Sequence, residues 1–166
     1  GALWNGMGMA VDAILFDLDD TLIVDEAVSR EALASTAKKA AEGCGVDAVR
    51  LAKDVHQIGS GLWREGPCHP YTKAIGISFH ECLWGRFEGA TPELTALRNW
   101  ALRYRVEVFA TALARQEQPD EDLAEKLAEH FCTERRRLQR LMPDAVETLV
   151  RLKSTHKVAL LTNGAP

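Results

Sequence analysis

One run constrains this chain more than any other: Ala13-Ile14-Leu15-Phe16-Asp17-Leu18-Asp19-Asp20-Thr21-Leu22. Four apolar residues, extended back to Val11, lead straight into an acidic cluster. The apolar part reads as a strand buried on both faces. The acids then stand at its carboxyl end, where open α/β sheets place their ligands. Asp17 and Asp19 are two apart, so on an unbent strand they share one face, with Leu18 on the other. Adjacent carboxylates repel, and a cation or a shared proton relieves the repulsion. With oxygen donors alone, Mg²⁺ is the natural cation. One carboxylate can attack an electrophile while the other moves a proton. A surface acidic turn capping a helix uses the same residue types.

The far end repeats this logic. Lys157-Val158-Ala159-Leu160-Leu161-Thr162-Asn163-Gly164 is an apolar strand ending in small polar residues. Thr162 offers a hydroxyl, and Asn163-Gly164 offers turn N–H groups, both suited to a phosphate oxygen.

Between these ends the pattern is helical. Residues 26–42 are rich in helix formers, and Gly43-Cys44-Gly45 stops them. Asp47 caps a second helix through about Ile58. Residues 59–77 read as loop, because they hold four glycines and two prolines. They also hold Trp63, Arg64, His69, Tyr71 and Lys73, which suits either a ligand-facing surface or a connector whose aromatics pack. Residues 78–87 form a short helix, with Phe79, Leu83 and Phe87 on one side. Thr91-Pro92-Glu93 starts a long one. Its rows Leu94, Leu97, Ala101, Tyr104, Val108 and Leu102, Val106, Phe109, Leu113 make it apolar on two sides, as in a bundle. Gln118-Pro119-Asp120 breaks it and starts the next, striped by Leu123, Leu127, Phe131, Leu138 and Leu141. Arg135, Arg136, Arg137 and Arg140 read as a solvated helix face. Pro143 opens a last short helix.

With 46% apolar residues among 166, the chain can bury a real core. A net charge of -4 and a pI near 5.7 argue against a nucleic-acid partner. No apolar run has bilayer length, so no membrane segment is expected. Residues 1–9 lack a signal peptide's basic and apolar regions and read as a leader, with Met7 or Met9 as a start. Cys44, Cys68, Cys82 and Cys132 form no Cys-x-x-Cys pair, which fits a reduced, cytoplasmic setting. His69 beside Cys68 and His80 near Cys82 match no standard zinc spacing.

The run Asp17-Leu18-Asp19-Asp20-Thr21 after an apolar strand resembles the first motif of the haloacid dehalogenase superfamily in its phosphatase form, Asp-x-Asp-x-Thr. Thr162-Asn163-Gly164 is similar to the second motif, and the helical stretch between them resembles the branch with a helical cap in that place. The resemblance covers the whole chain. It implies an α/β fold: a partial Rossmann-like core with two parallel strands (residues 9–25 and 142–166) and a large all-helical cap insertion (residues 26–141). It implies Asp17 as nucleophile and Asp19 as general acid and base. Mg²⁺ would be held by the Asp17 carboxylate and the Asp19 backbone carbonyl, and the phosphoryl group by Thr162, Asn163 and Gly164. Asp20 would be structural, and Thr21 would steady the loop. The implied substrate is a small phosphorylated metabolite, with Trp63, Arg64, His69, Tyr71 and Lys73 as cap residues that select it.

Three rival readings stand beside it. A dehalogenase of the same family usually has an uncharged residue where Asp19 stands, and halide needs no proton donor, so Asp19 favours phosphoryl chemistry. A phospho-receiver pairs acids with Mg²⁺ but lacks a long helical insert after strand one. A bundle fragment that only pairs with another chain would expose its sheet edge. The family's third motif, a lysine, and its fourth, an acidic pair, follow motif two, whereas Lys153 and Lys157 precede it. The expectation is therefore the front part of a larger domain, binding Mg²⁺ poorly and turning over little on its own.

Overall fold

The structure, a computed structural model, describes residues 11–163. The leader reading of residues 1–9 and the phosphate-binding role of Gly164 fall outside them. In chain order the elements are β1 (Ala13–Phe16), β2 (Ile23–Val24), α1 (Glu26–Cys44), α2 (Ala48–Glu65), α3 (His69–Ile75), α4 (Phe79–Cys82), α5 (Pro92–Ala114), α6 (Glu121–Arg137), β3 (Arg140–Leu141), α7 (Ala145–Lys153) and β4 (Lys157–Leu160). The class is α/β, with one parallel strand pair and a large helical insertion. The chain divides into two compact units. One holds the residues up to Val24 together with Leu141–Thr162; the other holds Asp25–Arg140, with which Asn163 is grouped.

In the first unit β1 and β4 pair in parallel, with Ala13 opposite Lys157 and Phe16 opposite Leu160. A parallel pair needs a crossover, and α7 lies in the chain just before β4. The pairing extends past both ends: the Lys157 N–H donates to the Asp12 carbonyl (2.9 Å) and the Leu161 N–H to the Phe16 carbonyl (2.8 Å). β2 and β3 form a second two-stranded sheet. Burial of β1 on both faces is not what is found. Ile14 and Phe16 are half-buried, but Leu15 on the other face is 65% exposed, and Leu160 of β4 is 51% exposed. The reason is coverage: among the described residues α7 is the one helix of this unit, and a single helix can cover a single face.

The second unit is a helical bundle in which α1 packs on α2 and α6, and α5 packs on α2 and α6. Its ends are fixed by local chemistry. Gly45, at φ +76°, closes α1 by donating its N–H to the Ala41 carbonyl. Asp47, Thr91 and Asp120 accept the N–H groups of Arg50 (2.7 Å), Leu94 (3.3 Å) and Leu123 (2.9 Å), capping α2, α5 and α6. The alanines of α1 (Ala32, Ala37, Ala40) let neighbouring helices approach, and Leu51, Leu97, Leu127 and Phe131 fill the core. Each of these large side chains contributes about 1.5–3 kcal/mol by leaving water.

Several expectations give way to packing. Most of residues 59–77 are helical, not loop: α2 runs on past Ile58 to Glu65, and α3 follows from His69 to Ile75. A Cβ at Gly59 would stand 3.1 Å from Tyr104 Oη, and one at Gly66 would stand 2.6 Å from Trp100 Cζ2. Both glycines admit close neighbours; at Gly59, inside α2, the packing gained offsets the roughly 1 kcal/mol that glycine costs a helix, whereas Gly66 follows α2 with an extended backbone. Pro70 sits in the first turn of α3, where its missing N–H is not needed. The helix expected over residues 78–87 is one turn, α4, capped by Ser78; the chain then turns so that Phe87 takes φ +52°. In α5, Phe109 and Leu113 of the second row are buried, but Leu102 is 59% exposed. Leu141 lies beyond α6, in β3, and is exposed.

The largest departure is Arg135. Arg136, Arg137 and Arg140 are exposed as expected, but Arg135 is completely buried. Its guanidinium donates from Nε to Ser29 Oγ (2.9 Å), from Nη1 to Gln139 Oε1 (2.5 Å) and from Nη2 to the Asp25 carboxylate. It also lies 4.5 Å from the centre of the Trp84 ring. A buried cation is tolerable when its donors are met and its flat face is stacked. Among the described residues no helix is long and apolar enough to cross a membrane.

Candidate active site

β1 ends at Phe16, and Asp17 is the next residue. β4 ends at Leu160, and Thr162 is two residues on. Because Phe16 pairs with Leu160 in parallel register, Asp17 and Thr162 leave the same end of neighbouring strands, which in a sheet lie about 4.8 Å apart. The acids do not continue an unbent strand. The Leu18 carbonyl accepts the N–H groups of Thr21 (3.3 Å), Leu22 (2.9 Å) and Ile23 (3.1 Å), and Asp19 bridges to Ile23. Asp20 takes φ +53°, a left-handed conformation that Asp tolerates better than most residues. The turn so formed presents Asp17, Asp19 and Thr21 at the surface, with Thr162 and Asn163 also exposed.

The donor chemistry here is oxygen only, which suits a hard cation. Among the described residues no group of three or more His, Cys, Asp or Glu side chains is arranged to hold a metal. Mg²⁺ fits such a sparse site, because it keeps several waters and is bound through one or two carboxylates plus substrate phosphate. The four thiols are free, and the His69 ring stands edge-on to Trp63 with centres 4.3 Å apart.

The five cap residues singled out from the sequence fall on α2 and α3. Trp63, His69 and Tyr71 are half-buried and pack as a connector's aromatics do. Trp63 Nε1 and His69 Nδ1 are buried without a hydrogen-bond partner among the described residues. Arg64 and Lys73 are exposed, and Arg64 Nη2 donates to Ser60 Oγ (2.6 Å).

The sequence reading missed a different feature of the same unit, a cavity of about 140 Å³ whose lining comes from α1, α2, α4 and α6 and includes Asp25, His56, Phe79 and His80. His56 and His80 are 24 residues apart, on different helices, and no fixed spacing announces such a pair. Burial, and then the neighbouring His56, push the His80 imidazole down to about 4; Asp25 and Glu26 act against this.

Comparison with known proteins agrees with this geometry. The family model described as haloacid dehalogenase-like hydrolase matches residues 11–166. A phosphoserine phosphatase of Thermus thermophilus is 41% identical over 154 residues, which is 92% of this chain and 58% of that protein. The chain thus spans a little over half the length of the curated relative it matches. An acidic turn following a strand, a parallel partner strand followed by Thr162, a helical insertion between them and a family match over nearly the whole sequence lead to one conclusion: the chain belongs to the haloacid dehalogenase-like hydrolases.

Proposed function

We propose that the protein carrying these residues hydrolyses a small phosphomonoester through an aspartyl-phosphate, with Asp17 as nucleophile. The observation that carries this reading is the parallel register of β1 and β4, with Asp17 and Thr162 following the paired ends. An Asp17 carboxylate oxygen attacks phosphorus as the bond from phosphorus to the leaving oxygen breaks. Asp19 gives that oxygen its proton. Asp19 then takes a proton from water, the hydroxide attacks the acyl phosphate, and Asp17 leaves as carboxylate with inorganic phosphate as product. Thr162 donates to a phosphoryl oxygen, with the backbone N–H of Asn163 as a second donor; the part expected of Gly164 lies outside the described residues. The Asp17 carboxylate and the Asp19 backbone carbonyl would hold Mg²⁺, which would supply positive charge for phosphoryl transfer.

The similarity to a phosphoserine phosphatase makes O-phosphoserine the first substrate to assay. The test is phosphate release by the complete protein from O-phosphoserine and p-nitrophenyl phosphate, beside chloride release from 2-chloropropionate. Asp17→Asn should abolish phosphate release, Asp19→Asn should lower it at least a hundredfold, and chelation of Mg²⁺ should stop it. Chloride release with no phosphate release would establish the dehalogenase reading instead.

A further inference from the structure

A groove of about 280 Å³ runs between α5 and α6, within the helical unit. Leu102, Val106 and Ala128 give it an apolar middle. Leu102 is 59% exposed there, although Leu94, Leu97 and Leu113 of the same helix are buried. Charge is sorted along the groove. Glu125 and Glu129, one turn apart on α6, mark one end, and Arg136 marks the other. Arg105 of α5 is close enough to Arg136 for the two charges to repel. None of these four has a partner of opposite sign within 4 Å among the described residues. On the next position of the same helix, by contrast, Arg137 closes on Glu134 at 2.9 Å. Arg105 donates to the Cys82 and Gly85 carbonyls and Arg136 to the Trp84 carbonyl. Those bonds occupy N–H groups and leave the positive charge without a counter-charge.

A face that is acidic at one end and basic at the other is complementary to itself once turned about a two-fold axis, because each acid then meets the other copy's base. A partner of one charge sign would leave one end of the groove opposed. We infer that the α5–α6 face is an interaction surface for a second copy of this chain, joined about a two-fold axis with the two α6 helices antiparallel. The register that sets Glu125 opposite the second copy's Arg136 also sets Glu129 opposite its Cys132, so the apolar middle lies across the axis and covers Leu102. At 1.5 Å per residue the two charged ends stand about 16 Å apart. Two helices about 10 Å apart, the shorter about 25 Å long, present roughly 500 Å² per copy. That is the size of a weak, reversible association. The surface belongs to the helical unit alone and does not depend on the role given to Asp17.

The test is sedimentation equilibrium of the protein at concentrations up to about 200 μM, in about 50 mM and about 500 mM NaCl. A monomer–dimer equilibrium is expected, weakened at least tenfold by the higher salt. Leu102→Asp should abolish the dimer. Glu125→Arg and Arg136→Glu should each weaken it at least tenfold, since each sets like charges opposite one another twice. An equimolar mixture of these two variants should restore it, because both contacts of the mixed dimer again join an acid to a base. Leu102 and Glu125 are exposed, so their variants decide the matter if Arg136→Glu does not fold. A monomer at every concentration in low salt, a dimer untouched by Leu102→Asp or Glu125→Arg, or a mixture of folded charge variants that associates no better than either alone would each overturn the inference. Loss of phosphate release in Asp17→Asn bears on the catalytic reading and leaves this one standing.

Discussion

Arg135 is the residue on which the helical unit depends most visibly. It ties Asp25, just ahead of α1, to Ser29 of α1 and to Gln139 beyond α6, with Trp84 over its face. Arg135→Met removes the buried charge and the hydrogen bonds it donates to Ser29, Gln139 and the two-thirds-buried Asp25 carboxylate. The expected loss is about 2–4 kcal/mol, read from the urea midpoint. Arg135→Lys should recover little of it, because an ammonium cannot reproduce the planar fork or the stacking. The thiols give a second prediction. Burial raises Cys68, Cys82 and Cys132, with Cys82 pushed up to about 12, while Cys44 is only half-buried. The thiolate is the reactive form, so iodoacetamide at pH 8 should alkylate Cys44 first. Peptide mass spectrometry of the folded protein should find the other three largely unmodified.

At the scale of elements, α2 shows how one residue type can mean opposite things within a few positions. A Cβ at Gly61 meets nothing within 4 Å, whereas one at Gly66 meets Trp100 at 2.6 Å. Gly61→Ala should therefore stabilise the protein by about 0.5–1 kcal/mol through helix propensity. Gly66→Ala should destabilise it by about 1–3 kcal/mol through overpacking. Thermal unfolding of the two variants should move in opposite directions. Asp47→Ala should cost about 1 kcal/mol by leaving the Arg50 N–H without its cap. The cap at Asp47 was legible in the sequence because it acts over three residues. The helical state of residues 59–65 was not, because the Tyr104 hydroxyl that justifies Gly59 comes from α5, about forty residues away.

Over the whole molecule, pH separates the contributions of titrating groups. His80 is neutral in the fold down to about 4, whereas an ordinary imidazole takes a proton near 6.5. Between these values the unfolded chain binds the proton and the folded one does not. The stability from a neutral His80 is thus complete above 6.5 and is lost as pH falls from 6.5 towards 4. Glu134, held at about 2 first by its hydrogen bond from Arg137, contributes above 4.5, and that contribution is lost as pH falls from about 4.5 towards 2, mostly below the range of His80. Urea midpoints at pH 7.5, 5.5 and 4.5 should fall in sequence, and His80→Gln should flatten the fall. By itself the sequence determined the two apolar strands and the polar residues that end them, the helical character of the insertion and most of its caps. These follow from periodicity and from backbone groups that need partners within a few residues. Only the tertiary structure decided that Arg135 is interior, that β1 is covered on one face, and that His56 and His80 line one cavity. Arg135 meets Ser29 and Asp25 across 106 and 110 residues of chain, and burial at such separations depends on which helices pack side by side.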